Sequence, residues 1–242
     1  MEPRRQPKRH VLHVLQSILS PTRRAAFPAP AAAGQSAREV LMNIVAKVDP
    51  KIKEIELRKN PVYIRVNKFD EASAKKFAED MSAAQNTGQP VVPVVIDSYG
   101  GQVYSLMAMI SAIKSSHVPV ATIATGKAMS CGALLFSFGE EGMRYMDPNA
   151  TLMIHDVSSG QIGKVEEVKV SAEETDRLNR KVYEMMALNC GKHKDYFLEI
   201  VHEKGHADWF LDSDDALKHN LANHIGIPRL EIEVGVKFNF YV

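Results

Sequence analysis

Val118-Pro-Val-Ala-Thr-Ile-Ala124, Thr125-Gly-Lys-Ala-Met129 and Ser130-Cys-Gly-Ala-Leu-Leu-Phe136 follow one another without a break. The first run is rich in β-branched residues and reads as a strand, the second contains a turn glycine, and the third begins an apolar helix. The same unit occurs twice upstream. Val91-Val-Pro-Val-Val-Ile96 precedes a helix from about Gln102, and Pro61-Val-Tyr-Ile-Arg-Val66 precedes a helix that Asp70 caps. In that helix Ala74, Phe77, Ala78 and Met81 fall at i, i+3, i+4 and i+7, and Gly88 lies beyond its end. Pro93 cannot donate a ladder hydrogen bond, so it marks an edge position or a bulge. Strands alternating with helices predict an α/β fold with a largely parallel sheet and right-handed crossovers. Ligands in such sheets bind at the carboxyl ends of strands. The glycine-bearing stretches Asp97–Gly101 and Thr125–Ser130 are both read as turns at those ends.

Farther out, Val165, Val168, Ala172, Thr175, Leu178, Val182 and Met185 recur at helical spacing between Lys164 and Cys190, with Gly191 as the stop. About 27 residues at 1.5 Å rise reach roughly 40 Å, more than the width of a domain this size. The far end therefore projects, and Val165, Val168, Ala172 and Leu178 need a partner surface. A first helix fits Val40 to Val48, ended by Pro50, and Leu230 to Phe240 alternate as a strand with one buried face.

Composition narrows the function. Lys plus Arg number 30 against 29 Asp plus Glu in 242 residues, so no charge excess points to nucleic acid. Residues 1–38 are set apart as a basic tail or propeptide, with Glu2 their only acid, and 39–242 are assigned to one catalytic domain. Two cysteines, Cys131 and Cys190, make no disulfide framework and suit the cytosol, or an organelle matrix if the tail is a transit segment. No run of about 18 apolar residues occurs, so no membrane span is expected. Neither Cys-x-x-Cys nor His-Glu-x-x-His spacing occurs, and no metal or cofactor is expected.

Three residues carry candidate chemistry. Ser130 stands where a helix begins, and the free N–H groups there favour an oxyanion. A lone serine at that place is more often a plain N-cap. Ala128 replaces the first glycine of Gly-x-Ser-x-Gly, which disfavours the α/β-hydrolase elbow. His155 ends the strand Ala150–Ile154, the place for a general base. Asp208 borders the apolar Trp209-Phe-Leu211, where a carboxylate can hold a histidine's tautomer, with helix capping as its alternative. His202, His206 and His224 read as surface or hydrogen-bond-satisfied histidines without a catalytic task. The paired Gly100 and Gly101 expose backbone N–H groups to an oxyanion or a peptide main chain.

Asp97-Ser-Tyr-Gly-Gly101, Gly126 to Ala133, Asp147-Pro-Asn-Ala-Thr-Leu-Met-Ile-His155 and Asp208-Trp-Phe-Leu211 resemble, in order and spacing, the motifs of the Clp protease proteolytic subunit over roughly residues 60–228. The resemblance implies a ClpP/crotonase-type spiral of βαβ units with a long projecting helix. It also implies a serine endopeptidase acting on unfolded proteins or peptides, with Ser130 as nucleophile, His155 as base, Asp208 completing the triad, and Gly101 and Cys131 giving oxyanion N–H groups. It further implies a self-compartmentalised ring of seven, possible stacking of two rings, and an AAA+ unfoldase partner. Tyr99 stands where the family has a proline, and Ala207 replaces an arginine linked to ring pairing. The family's ATPase-docking pocket maps onto Pro93, Val95, Ser115, Ile123, Thr125 and Tyr145. Two other readings stay open: an inert scaffold subunit of a mixed ring, and an acyl-CoA enzyme of the crotonase type.

Overall fold

The computed structural model describes residues 62–229. The tail 1–38, the helix expected over Val40 to Val48 and the strand expected over Leu230 to Phe240 lie outside the described residues. The three βα units are present: β1 (Ile64–Val66) leads to α1 (Glu71–Gln85), β2 (Val92–Ser98) to α2 (Val103–Lys114), and β3 (Val120–Met129) to α3 (Cys131–Phe136). Asp70 caps α1 in a reciprocal box, its Oδ1 accepting from the Ser73 N–H and the Ser73 Oγ accepting from the Asp70 N–H. Ala74, Phe77 and Met81 are buried as their spacing requires, whereas Ala78 is exposed and Ala84 completes the stripe.

β2 runs parallel to both β1 and β3, so Pro93 stands in a central strand and the register shift falls between Ile96 and Ser98. Expecting an edge or a bulge at Pro93 was incorrect, for a local reason. The Val92 N–H donates to Pro119 on the β3 side, so by alternation position 93 faces β1, whose ladder starts only at Ile64 opposite Val94. Buried Gln89 supplies the missing donor. Its Nε2 donates to the carbonyls of Val62 (3.2 Å) and Val91 (2.7 Å), and its Oε1 accepts from the Val62 N–H at 2.9 Å.

β3 also departs from expectation, because Thr125–Met129 is strand rather than turn. The strand changes partner along its length. Thr122–Ala124 pair with β4 (Arg144–Met146), and Lys127–Met129 pair with β5 (Thr151–Ile154). Gly126, at φ +67°, sits at the changeover, where a Cβ would stand 3.1 Å from the Asp97 carboxylate. The sheet continues from β4 to β7 (His224–Ile225), while β6 (Trp209–Leu211) joins β5 antiparallel. The Arg144 side chain is buried and donates to the carbonyls of Gly139, Asn220 and Leu221, tying β4 to the turn ahead of β7.

The long helix α4 (Val165–Asn189) keeps the expected limits, with Lys164 and Cys190 as caps; α5 (Tyr196–Glu203) and α6 (Ser213–Lys218) follow. Its buried residues are Leu178, Val182, Tyr183, Met186 and Ala187, so Leu178 needs no partner surface, contrary to expectation. The projecting part is the first two turns, since all residues from Gln161 to Val170 are exposed. No described helix is long and apolar enough to cross a membrane.

Candidate active site

β3 passes straight into α3 at Ser130, whose φ of 55° and ψ of −120° lie in a strained region for a residue with a Cβ. The serine makes no side-chain hydrogen bond to its helix, so the capping alternative has no structural support. Its N–H donates instead to the Met153 carbonyl at 2.8 Å, extending the β3–β5 pairing by one step. That register brings His155 to the same sheet end as Ser130. β5 and β6 then pair Leu152 with Leu211, Met153 with Phe210 and Ile154 with Trp209, so the next rung sets His155 opposite Asp208.

His155 Nδ1 stands 3.9 Å from Asp208 Oδ1, longer than a hydrogen bond. The imidazole is 26% exposed and the carboxylate 56%. Asp208 precedes a strand, and Asp212 is the residue that caps α6, so capping does not account for Asp208 either. Ser130, Cys131, His155 and Gly101 border one cleft, whose floor is made of Leu106, Leu134, Ile154, Val182 and Met186.

The glycine loop lies against the start of α3. A Cβ on Gly100 would stand 2.8 Å from the Ser130 Cβ and 3.3 Å from the Cys131 nitrogen, and one on Gly101 would run into the Phe69 carbonyl. Gly101 bridges Phe69 as an isolated parallel pair, which fixes the loop's height over the serine. The Cys131 thiol donates to the Gly101 carbonyl at 3.3 Å, and burial pushes it up, so it stays protonated. Tyr99 is exposed and Lys127 stands 4.4 Å over its ring while pairing with Asp97 at 2.7 Å.

Sequence reasoning missed a polar network one residue further out. Asp156 accepts from Asn179 Nδ2 (2.9 Å) and the Tyr183 hydroxyl (3.0 Å) on one oxygen, and from His206 Nδ1 at 2.6 Å on the other. Asn179 Oδ1 in turn accepts from the Val157 N–H at 2.9 Å. Partial burial alone would raise the Asp156 carboxyl, but the bonds from Asn179, His206 and Tyr183 outweigh it and hold it below the usual range. His206 is thus an exposed histidine whose ring is satisfied by one carboxylate, as expected of it; what the sequence did not show is which carboxylate. His224, also exposed, stacks on Tyr145 and its Nε2 bonds the Gly142 carbonyl, again a satisfied surface histidine. Asn179 and Tyr183, four apart within an apolar stripe, were the available signal. Among the described residues no group of three or more His, Cys, Asp or Glu side chains is gathered to hold a metal ion.

A serine at a strained strand-to-helix turn, with a histidine and an apolar cleft at the same sheet end, is the arrangement of a serine hydrolase built on a parallel α/β scaffold. The Clp protease family model matches residues 52–229, and the chain belongs to that family of ClpP-type serine peptidases. Proteins of the family form oligomeric rings, work with unfoldases and act on peptide substrates.

Proposed function

We propose that the chain is a serine endopeptidase that cleaves unfolded proteins or peptides, with Ser130 as nucleophile, His155 as general base and Asp208 orienting the imidazole. The observation that carries this reading is the pair of registers that sets Ser130 beside β5 and His155 opposite Asp208, with Ser130 and His155 lining one cleft. Ser130 Oγ attacks the peptide carbonyl while His155 takes its proton. The tetrahedral oxyanion is held by the N–H groups of Gly101 and Cys131. Collapse passes the proton to the leaving amine and leaves an acyl-serine, which water activated by His155 hydrolyses. The chemistry uses side chains and backbone groups alone.

The apolar floor suits an apolar side chain next to the scissile bond. The 3.9 Å gap closes by about 1 Å when the imidazole becomes cationic, since such contacts tighten in the reacting complex. Pairing of Val95 with Ile123, and of Ile123 with Tyr145, sets three residues of the proposed ATPase-docking pocket in one row across β2, β3 and β4.

A fluorophosphonate probe tests the mechanism. It is expected to label Ser130 in the wild type and nothing in Ser130→Ala, which should unfold at the same temperature because no cap bond is lost. Absence of label at Ser130 would overturn the reading in favour of an inert scaffold or an acyl-CoA enzyme.

A further inference from the structure

The antiparallel ladder that aligns the proposed catalytic pair stops short of it. Its last rung is Ile154 opposite Trp209, and beyond that rung no backbone hydrogen bond joins the two segments among the described residues. Two chain ends that leave a sheet together diverge unless something outside the ladder ties them. Here the tie is a second histidine–carboxylate pair. Asp156 follows His155, His206 precedes Asp208 by two residues, and the bond between them is 2.6 Å long.

Both partners are fixed from behind. α4 holds Asp156 through Asn179 and Tyr183, and Asn179 also takes the Val157 N–H, so the chain just after His155 is held at two successive residues. His206 lies in the turn that ends α5, where Gly205 and His206 both have positive φ, +66° and +61°. Histidine is one of the few residues other than glycine that enter this region readily, so the turn can hold His206 with its ring turned to Asp156. The His202 ring, 4.5 Å away between centroids, packs on its outer side.

We infer that His206 and Asp156 are positioning residues: their bond closes the open ends of β5 and β6 and sets the separation of His155 from Asp208. The inference rests on the triad reading of the site. At 3.9 Å the His155–Asp208 contact already exceeds hydrogen-bond length, so further divergence removes the orienting carboxylate while leaving the cleft that binds the peptide intact. The loss therefore falls on turnover rather than on binding.

The test uses the full chain, a fluorogenic peptide with an apolar residue before the scissile bond, and active-site titration with the fluorophosphonate probe. His206→Ala is expected to lower kcat per titrated site by about tenfold to a hundredfold, with KM within about threefold, the scale of a small misplacement. His206→Asn, whose amide donates from nearly the position of Nδ1 and tolerates positive φ, is expected to restore kcat to within about threefold of wild type. Asn179→Ala removes a different arm of the network and should act in the same direction as His206→Ala. A merely structural role would lower the titrated fraction or the melting temperature but not kcat per site. A labelled wild type together with kcat within twofold of it in soluble His206→Ala or Asn179→Ala overturns the inference. A wild type that takes no label overturns the triad reading beneath it.

Discussion

Cys131 and Ser130 offer two nucleophiles at adjacent positions, and their surroundings separate them. The thiol is buried, donates to the Gly101 carbonyl and is pushed away from the thiolate, whereas the Ser130 side chain is free of its helix and borders the cleft. Cys131→Ala keeps the backbone N–H that the mechanism asks of this residue, so peptidase activity is expected within about threefold of wild type. Activity that vanishes in Cys131→Ala and survives in Ser130→Ala would exchange the two roles. Asp70 offers a test by pH. The Lys68 ammonium, then the Ser73 amide and hydroxyl, lower its carboxyl from 3.8 to about 2. A carboxyl depressed in the folded state stabilises above its unfolded pKa and loses that contribution as pH falls through the folded one. The stability advantage of wild type over Asp70→Asn, followed by denaturant unfolding, should be constant from pH 7 to about pH 5 and shrink between pH 3.8 and about 2. An advantage that does not change across that window would show that the charge contributes nothing. Adjoining a strand or an apolar run made Ser130, His155 and Asp208 candidates, but each alone reads as readily as a cap or a surface residue, and only the order and spacing of their motifs singled them out. The positive φ of Ser130 and the bond from His206 to Asp156 could not be picked out in the sequence, because both depend on contacts between segments far apart in the chain.

Among the elements, β-branched runs and helical spacing were enough to place β1 to β3 and α1 to α4, since each is long or strongly patterned. The three residues of β6 and the two of β7 carry no such pattern, and the change of partner along β3 leaves no trace in an unbroken run of strand residues. Pro93 is the instructive case, because proline is excluded only where a ladder bond is required. Gln89 replaces that bond with its side chain, so the sheet accepts the proline at the cost of depending on one buried amide. Gln89→Ala would strip both Val62 polar groups of this partner and the Val91 carbonyl of its donor. The expected loss is about 2 to 3 kcal/mol in denaturant unfolding, with labelling at Ser130 unchanged in the folded fraction. A loss under about 0.5 kcal/mol would mean that water replaces the amide without penalty.

For the molecule as a whole, α4 poses a problem of coverage. Its 25 residues extend about 37 Å at 1.5 Å per residue, and only the stretch from Leu178 onward contributes to the core. Tyr104 of α2 reaches Glu174 at 2.6 Å, which marks where the helix leaves the body of the domain. Before that point Val165 is 68% and Val168 40% exposed, with exposed Ala172 on the same face, whereas Val170 (64%) lies on the opposite one; Ile162 just ahead of the helix is 98% exposed. Glu166, Glu167 and Glu173 keep the other faces polar, so this is an apolar strip on a charged helix rather than a generally greasy one. Such a strip calls for a partner, and a second copy of the same helix, related by a two-fold axis, is the simplest surface that matches it. The expected particle is a ring of seven subunits that stacks on a second ring through α4, with Ala207 in place of the family's ring-pairing arginine. Val165→Glu together with Val168→Glu sets like charges on facing helices without touching the core. That double variant should convert a particle of fourteen subunits into one of seven in native mass spectrometry. Wild type at fourteen and the variant at seven support stacking through this strip, wild type at seven limits the assembly to one ring, and a wild-type monomer at micromolar concentration removes the case for a ring altogether.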